Sequence, residues 1–254
     1  MPKGSRAVIP RVFDEKNPLK AVYFPACINR SMGESADYGK DVRLTAKTEK
    51  LLHKAGYEII YPLNINKLCC GMAFSSKGFK DTAGRKAAEL NEALMSASSN
   101  GEYPVLCDMS PCLCHMKETL NFQVELYDPI EFTLKFLVPE LDFQPTDDPV
   151  AVFSVCSSKK MGLEDDLLQL ALMCSNDVSV IDSTCCGFAG DRGFTHPELN
   201  EAGLKTIKDQ IPAEVKRGFS TSRTCEIGLT HHGGISFKSI LYLVDECTSA
   251  KNEK

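Results

Sequence analysis

The sequence predicts an α/β protein that is internally duplicated: two similar parallel-sheet half-domains, each with a cysteine site at the carboxyl ends of its strands. Three observations carry this expectation: a repeat along the chain, strand-like runs alternating with helix-like runs, and cysteines that fall where a run ends. The repeat centres on Leu68 to Phe74, LCCGMAF, and Thr184 to Gly190, TCCGFAG, two adjacent cysteine pairs each followed at once by glycine. Upstream of each pair an apolar run enters a cysteine, in AVYFPACINRSMG (Ala21 to Gly33) and AVFSVCSSKKMG (Ala151 to Gly162). Met-Gly follows both, as Met32-Gly33 after Cys27 and as Met161-Gly162 after Cys156. Downstream, PVLCDMSPC ends at Cys112, 42 residues beyond Cys70, and GFSTSRTC ends at Cys225, 39 beyond Cys186.

The elements follow in order. In the first copy, β-branched and aromatic runs predict strands at 21–25, 57–62, 103–107 and 124–127, with helices at about 33–55, 78–98, 112–121 and 129–137. In the second, strands are expected at 150–155, 178–181 and 217–221, and helices at 163–175, 197–211 and 236–248. The seam is placed in LDFQPTDDP (Leu141 to Pro149), where prolines and acids interrupt the pattern. This divides the chain into a lead-in (1–20), a first domain (21–143) and a second domain (144–254).

Two matching quartets result: Cys27, Cys69, Cys70 and Cys112, then Cys156, Cys185, Cys186 and Cys225. In an open parallel sheet, the loops beyond the strand carboxyl ends converge on one crevice. Helix amino termini there lower thiol pKa, and thiolates are the form that ligates soft metals. Gly71 and Gly187 let the backbone turn and approach a bound group without a Cβ in the way. Gathered thiolates need a cation, so the quartets are candidate metal ligands. The pairs have no residue between them, unlike the knuckles of structural zinc, so iron-sulfur is favoured over zinc. Disulfides are the remaining alternative.

Composition narrows the function. With 254 residues, 43% apolar and 25% charged, the chain is that of a folded globular protein. A net charge of -5 gives no basic excess to attract nucleic acid. No apolar run reaches the length of a membrane span, and MPKGSRAVIPRVF lacks a secretory h-region, so a cytoplasmic location is expected. In that reducing setting, twelve cysteines are expected as ligands or core residues rather than disulfides.

The duplicated motifs resemble the CCG, or cysteine-rich, domain of heterodisulfide reductases, glycolate oxidase iron-sulfur subunits and lactate-utilisation proteins. Met109 and Ser222 stand where heterodisulfide reductase has the first cysteine of a terminal C-x2-C, which turns the expectation from disulfide cleavage towards four-cysteine ligation. YFPACINRSMG, TCCGFAGDRGF and CEIGLTHHGGISFKSILYLVDE are similar to the carboxyl-terminal part of FAD-dependent, iron-sulfur D-lactate dehydrogenases. That resemblance implies up to two iron-sulfur clusters of 4Fe-4S type, and FAD on a partner domain or subunit. It also implies electron flow from D-lactate or a related 2-hydroxy acid to a quinone or cytochrome, with peripheral association at the inner face of a membrane through a partner. No G-x-G-x-x-G occurs, so this chain alone is not expected to oxidise lactate.

Other residues carry weaker expectations. Arg30 and Arg192 follow their cysteines and could offset the charge of a bound group, with Asp191 pairing with Arg192 or capping a helix. Cys107 is read as core or as a substitute ligand, and Cys174 and Cys247 as packing residues on helices. His231 and His232 are read as a glycine-flanked loop that is exposed or relays protons. SFKSILYLVDE is read as an amphipathic helix.

Overall fold

The computed structural model describes residues 4, 7–9, 19–33, 43–119 and 124–251. Most of the lead-in, the first part of the helix expected from about residue 33, and residues 120–121 lie outside these. The chain forms two compact units, Met1–Phe132 and Thr133–Lys254.

In the first unit, β1 (Lys20–Phe24) pairs with β2 (Glu58–Ile60) on one side and β3 (Val105–Cys107) on the other, and β3 pairs with β4 (Leu126–Tyr127); every pairing is parallel. The order β2-β1-β3-β4 leaves the first and third strands side by side. Their chain connections depart in opposite directions, which opens a crevice between the two carboxyl ends. Ala21, Val22, Tyr23 and Phe24 are all buried, as a strand covered on both faces requires. Helices α1 (Cys27–Ser31), α2 (Leu44–Lys54), α3 (Met72–Ser75), α4 (Lys80–Ala97), α5 (Ser110–Thr119) and α6 (Pro129–Phe132) connect the strands. α4 buries Ala83, Ala87, Leu90 and Leu94, one stripe at helical spacing.

The second unit repeats the plan. β6 (Val150–Phe153) lies between β7 (Val178–Ile181) and β8 (Arg217–Ser220), and β9 (Ser236–Ser239) pairs with β8, again all parallel in the order β7-β6-β8-β9. Its helices are α7 (Cys156–Lys160), α8 (Glu164–Cys174), α9 (Arg192–Thr195), α10 (Pro197–Leu204), α11 (Arg223–Gly233) and α12 (Ile240–Glu246). β5 (Leu141–Phe143) pairs antiparallel with β10 (Thr248–Ala250) in a separate ribbon, which ties residues just after 132 to this unit.

Three local readings are corrected. The run expected as one helix over 236–248 is the strand β9, the helix α12 and the strand β10. Its apolar residues are not one face: Ile240 to Asp245 are all buried, because α12 is covered all round. His231 and His232 sit in the last turn of α11 rather than in a loop, with Gly234 ending the helix in the left-handed conformation. α11 escaped the pattern because Gly228 interrupts its apolar spacing. A Cβ at Gly228 would lie 2.4 Å from Nδ2 of Asn200, so the glycine serves close helix packing.

Candidate metal centre

Each strand of the central pair in either sheet delivers one cysteine to the crevice at its carboxyl end. Cys27 opens α1 directly after β1, and Cys112 lies in the first turn of α5 after β3. Cys69 and Cys70 precede α3 after β2. The sulfurs form a chain of contacts within hydrogen-bonding reach: Cys27 with Cys69, Cys69 with Cys70, and Cys70 with Cys112. The second unit places Cys156 at the start of α7, Cys185 and Cys186 after β7, and Cys225 in the first turn of α11. There the chain runs Cys156, Cys185, Cys186, Cys225, with Cys186 and Cys225 sulfurs 2.9 Å apart. All eight are free thiols.

The backbone supports both sites in the same way. The Gly71 amide donates to Cys69 Sγ at 3.4 Å and the Gly187 amide donates to Cys185 Sγ at 3.3 Å. The Met72 and Phe188 amides favour the charged forms of Cys70 and Cys186. Both glycines are left-handed, with φ of 88° and 70°. A Cβ would lie 2.6 Å from the Ala83 carbonyl oxygen at Gly71 and 2.0 Å from that of Leu199 at Gly187, so only glycine lets the CCG turns seat against α4 and α10.

Electrostatically, one sulfur per site is set apart. Cys69 is held far below the usual thiol range by hydrogen bonds from Cys27 and Cys70, helped by the Gly71 amide and Arg30. Cys185 is lowered likewise by Cys156 and Cys186 and the Gly187 amide. Cys27 is raised by its bond to Cys69 and by burial, and Cys156 by Cys185 and burial. Cys70 and Cys186 are raised most strongly by their sulfur partners. In each crevice negative charge is therefore favoured on Cys69 or Cys185 over the sulfurs bonded to it, and ionising those as well requires a cation. Among the described residues, no group of three or more His, Cys, Asp and Glu side chains has the arrangement of a single-ion site.

The polar shells differ. In the first unit Arg30 is buried, its Nε donating to the Pro25 carbonyl at 2.9 Å and its guanidinium to the Leu68 carbonyl. Burial lowers its pKa, while the charges of Cys27, Asp108, Cys69 and Cys112 oppose that. Asp108, fully enclosed after β3, accepts from the Ala26 amide and the Tyr23 hydroxyl, both at 2.7 Å. Burial pushes its carboxyl up to about 6. In the second unit the position of Asp108 is taken by Thr221, whose hydroxyl meets that of Ser158 at 3.1 Å. Lys159, at the position of Arg30, instead reaches Glu164 at 3.3 Å and Asp182 at 3.7 Å. A buried pair, Arg223 with Glu226 at 3.7 Å, flanks Cys225. Asn200 Nδ2 donates to the Cys186 carbonyl and so fixes the second CCG turn from α10.

Sequence reasoning misses Asp108, Asn200 and Thr221. Asp108 has one visible signal, an acid in an apolar run between a strand and a cysteine. Arg192 is exposed at the start of α9, and Asp191 precedes it. Cys107 is buried with its thiol towards the Met109 carbonyl at 3.7 Å, and Cys114 meets Glu118 at 3.6 Å. Cys174 and Cys247 are buried with their sulfurs in hydrogen-bonding reach of each other. The His231 and His232 rings pack edge to face at 4.8 Å, and burial lowers the pKa of His232. No helix among the described residues is long and apolar enough to cross a membrane.

Comparison with known proteins adds three findings. The C component of the anaerobic glycerol-3-phosphate dehydrogenase of Escherichia coli, in strains K12 and O157:H7, is 30% identical over 138 residues, covering 50% of this chain and 35% of the relative. The matched stretch thus spans about a third of the length of these curated relatives. A solved structure, Picrophilus torridus aspartate racemase, aligns over 92% of this chain and 96% of its own at 10% identity, but its TM-score of 0.40 is too low to inform function. The model of the cysteine-rich domain, CCG, matches residues 21–117 and again 150–230, one match within each unit. The chain belongs to the CCG cysteine-rich domain family.

Proposed function

We propose that this chain is the iron-sulfur electron-transfer part of a flavin-linked dehydrogenase, with Cys27, Cys69, Cys70 and Cys112 holding one cluster and Cys156, Cys185, Cys186 and Cys225 a second. The observation that carries the reading is the gathering of four free sulfurs, from three separate loops, in each of two equivalent crevices. The donor set suits the group: thiolates are the ligands of 4Fe-4S clusters, amides already point at the sulfurs, and Gly71 and Gly187 clear the backbone approach. When bound, such a cluster supplies one-electron transfer. The protein's own residues set its surroundings: Arg30 offsets charge in the first crevice, and the hydrophobic shell of Phe153, Ile181, Phe188 and Leu229 excludes water around Cys186 and Cys225 in the second.

The electron donor is FAD on a partner domain or subunit, and the acceptor is a quinone or cytochrome, reached in the cytoplasm at the inner face of a membrane. D-lactate or a related 2-hydroxy acid is the primary substrate, on the resemblance of TCCGFAGDRGF and CEIGL. Glycerol 3-phosphate is the second reading, favoured by the name of the curated relative. Anaerobic purification with the co-expressed flavoprotein tests both. Iron and labile sulfide are expected, with bleaching of absorption near 400 nm on adding D-lactate; bleaching by glycerol 3-phosphate alone selects the second substrate. Stoichiometric zinc without iron or sulfide would instead establish a zinc scaffold. Turnover of a disulfide without the flavoprotein would establish a thiol-disulfide reductase.

A further inference from the structure

The two crevices share a backbone plan but differ in hydroxyls. Ser154, Ser157, Ser220 and Ser222 are each at least nine-tenths buried, and none of their Oγ atoms has a hydrogen-bond partner among the described residues. All four flank the central strand pair of the second unit. Ser154 follows β6, Ser157 follows Cys156 in α7, Ser220 ends β8, and Ser222 directly precedes α11. The register of Val152 opposite Phe219 brings the ends of β6 and β8 together, so the four residues sit around the carboxyl end of one strand pair.

Their lack of partners is not a shortage of nearby backbone groups. A serine preceding a helix ordinarily caps it, yet Ser222 makes no side-chain cap. A serine within a helix ordinarily bonds back to a carbonyl one turn earlier, yet Ser157 does not. The adjacent Ser158 and Thr221 hydroxyls do find each other, at 3.1 Å. Leaving a buried hydroxyl unpaired is costly, and four in one place mark a site whose acceptor is not protein. The corresponding first-unit positions, counted from Cys27 and Cys112, hold Pro25, Ile28, Cys107 and Met109, which bring no hydroxyl.

We infer that Ser154, Ser157, Ser220 and Ser222 form a hydroxyl cradle that donates hydrogen bonds to the sulfur atoms of the group held by Cys156, Cys185, Cys186 and Cys225. The cradle raises the potential of the second site above what its four cysteines alone would set. The inference rests on the iron-sulfur reading above. Hydrogen bonds to cluster sulfur stabilise the reduced, more negative state, and hydroxyls are suited to it because they rotate towards their acceptor.

The test uses the full chain, reconstituted anaerobically with iron and sulfide, in which Cys69→Ala and Cys70→Ala remove the first sulfur set so that one signal remains. Ser222→Ala and Ser220→Ala are compared with their parent by iron and sulfide content and by an EPR-monitored potentiometric titration. The variants are expected to keep their iron and to show at least a tenfold lower reduced-to-oxidised ratio at the parent's midpoint, about 59 mV for one electron. Ser222→Thr restores the midpoint. Without metal, the alanine variants melt at or above the parent's temperature, because an unpaired buried hydroxyl has gone; a merely structural serine would lower it. In the chain with both sulfur sets, only one of two signals moves. Full iron with an unmoved midpoint, or a fall in metal-free melting temperature, overturns the cradle and leaves the iron-sulfur reading standing. A parent with no iron or sulfide removes both.

Discussion

Asp108 Oδ1 accepts the amide proton of Ala26 at 2.7 Å, joining the end of β3 to the residue just before Cys27. The same carboxylate accepts the Tyr23 hydroxyl at 2.7 Å, so one buried side chain sets the spacing of the two strand ends that present Cys27 and Cys112. Asp108→Ala strands both donors in the core and is expected to lower unfolding stability by about 2–3 kcal/mol. Asp108→Asn retains an acceptor for Ala26 and should lose less than half of that. Urea denaturation of the three proteins measures it, and equal losses in both variants would show that Asp108 does not act through these bonds.

The CCG turns make a steric prediction. Gly71→Ala meets the Ala83 carbonyl oxygen at 2.6 Å and Gly187→Ala meets that of Leu199 at 2.0 Å, both from left-handed backbone. Each is expected to destabilise by at least about 2 kcal/mol, with Gly187→Ala the worse. Gly84→Ala, in open space within α4, should be neutral or slightly stabilising. Thermal melts order the three, and tolerance of Gly187→Ala would refute the close approach.

Asp128 gives a pH dependence. Its carboxyl is enclosed, accepts from the Ser110 hydroxyl and the Ile130 amide, and is pushed by burial up to about 7. Below about pH 4 it is protonated in both folded and unfolded chains and contributes no slope. Between about pH 4 and 7 the unfolded chain releases the proton first, so folding stability falls as pH rises, and above about 7 the loss is complete. Asp128→Asn keeps the shape and removes the loss. Its stability relative to the parent should climb from about pH 5 to pH 8, by on the order of 1–3 kcal/mol. A difference that stays flat, or shrinks with pH, contradicts the raised carboxyl.

If the two sulfur sets act independently, iron content divides by site. Cys69→Ala and Cys185→Ala should each retain about half of the parent's iron after anaerobic reconstitution, and the double variant almost none. Cys174→Ala with Cys247→Ala, whose sulfurs meet away from both quartets, should retain all of it. Loss of iron in the latter pair would add those cysteines to the ligand set.

Arg30 offers a test of charge against packing. Arg30→Met fills similar volume but leaves the Pro25 and Leu68 carbonyls without a donor, and should cost about 2–4 kcal/mol. Arg30→Lys keeps the charge but not the fork, and should fall between the two. Equal stability of the methionine variant would mean that neither carbonyl depends on the guanidinium.

Much of this protein is legible along the chain because duplication writes each constraint twice. The pairing of Cys27 with Cys156, of the two CCG turns, and of Cys112 with Cys225 is visible as order and spacing alone, and alternating apolar runs yield parallel sheets by local chemistry. Glycine after each pair is legible for the same reason, since a left-handed turn leaves few other choices. What the tertiary structure decided is where unlike residues meet. Asp108 reaching Ala26, Asn200 reaching the Cys186 carbonyl, and four buried serines around one pair of strand ends join positions from 14 to 82 residues apart or set on separate strands, and no local pattern encodes such distances. The helix α11 and the strand β9 were hidden likewise: Gly228 and the short alternating SFKS take their conformations from Asn200 and from β8, partners that only the folded chain supplies.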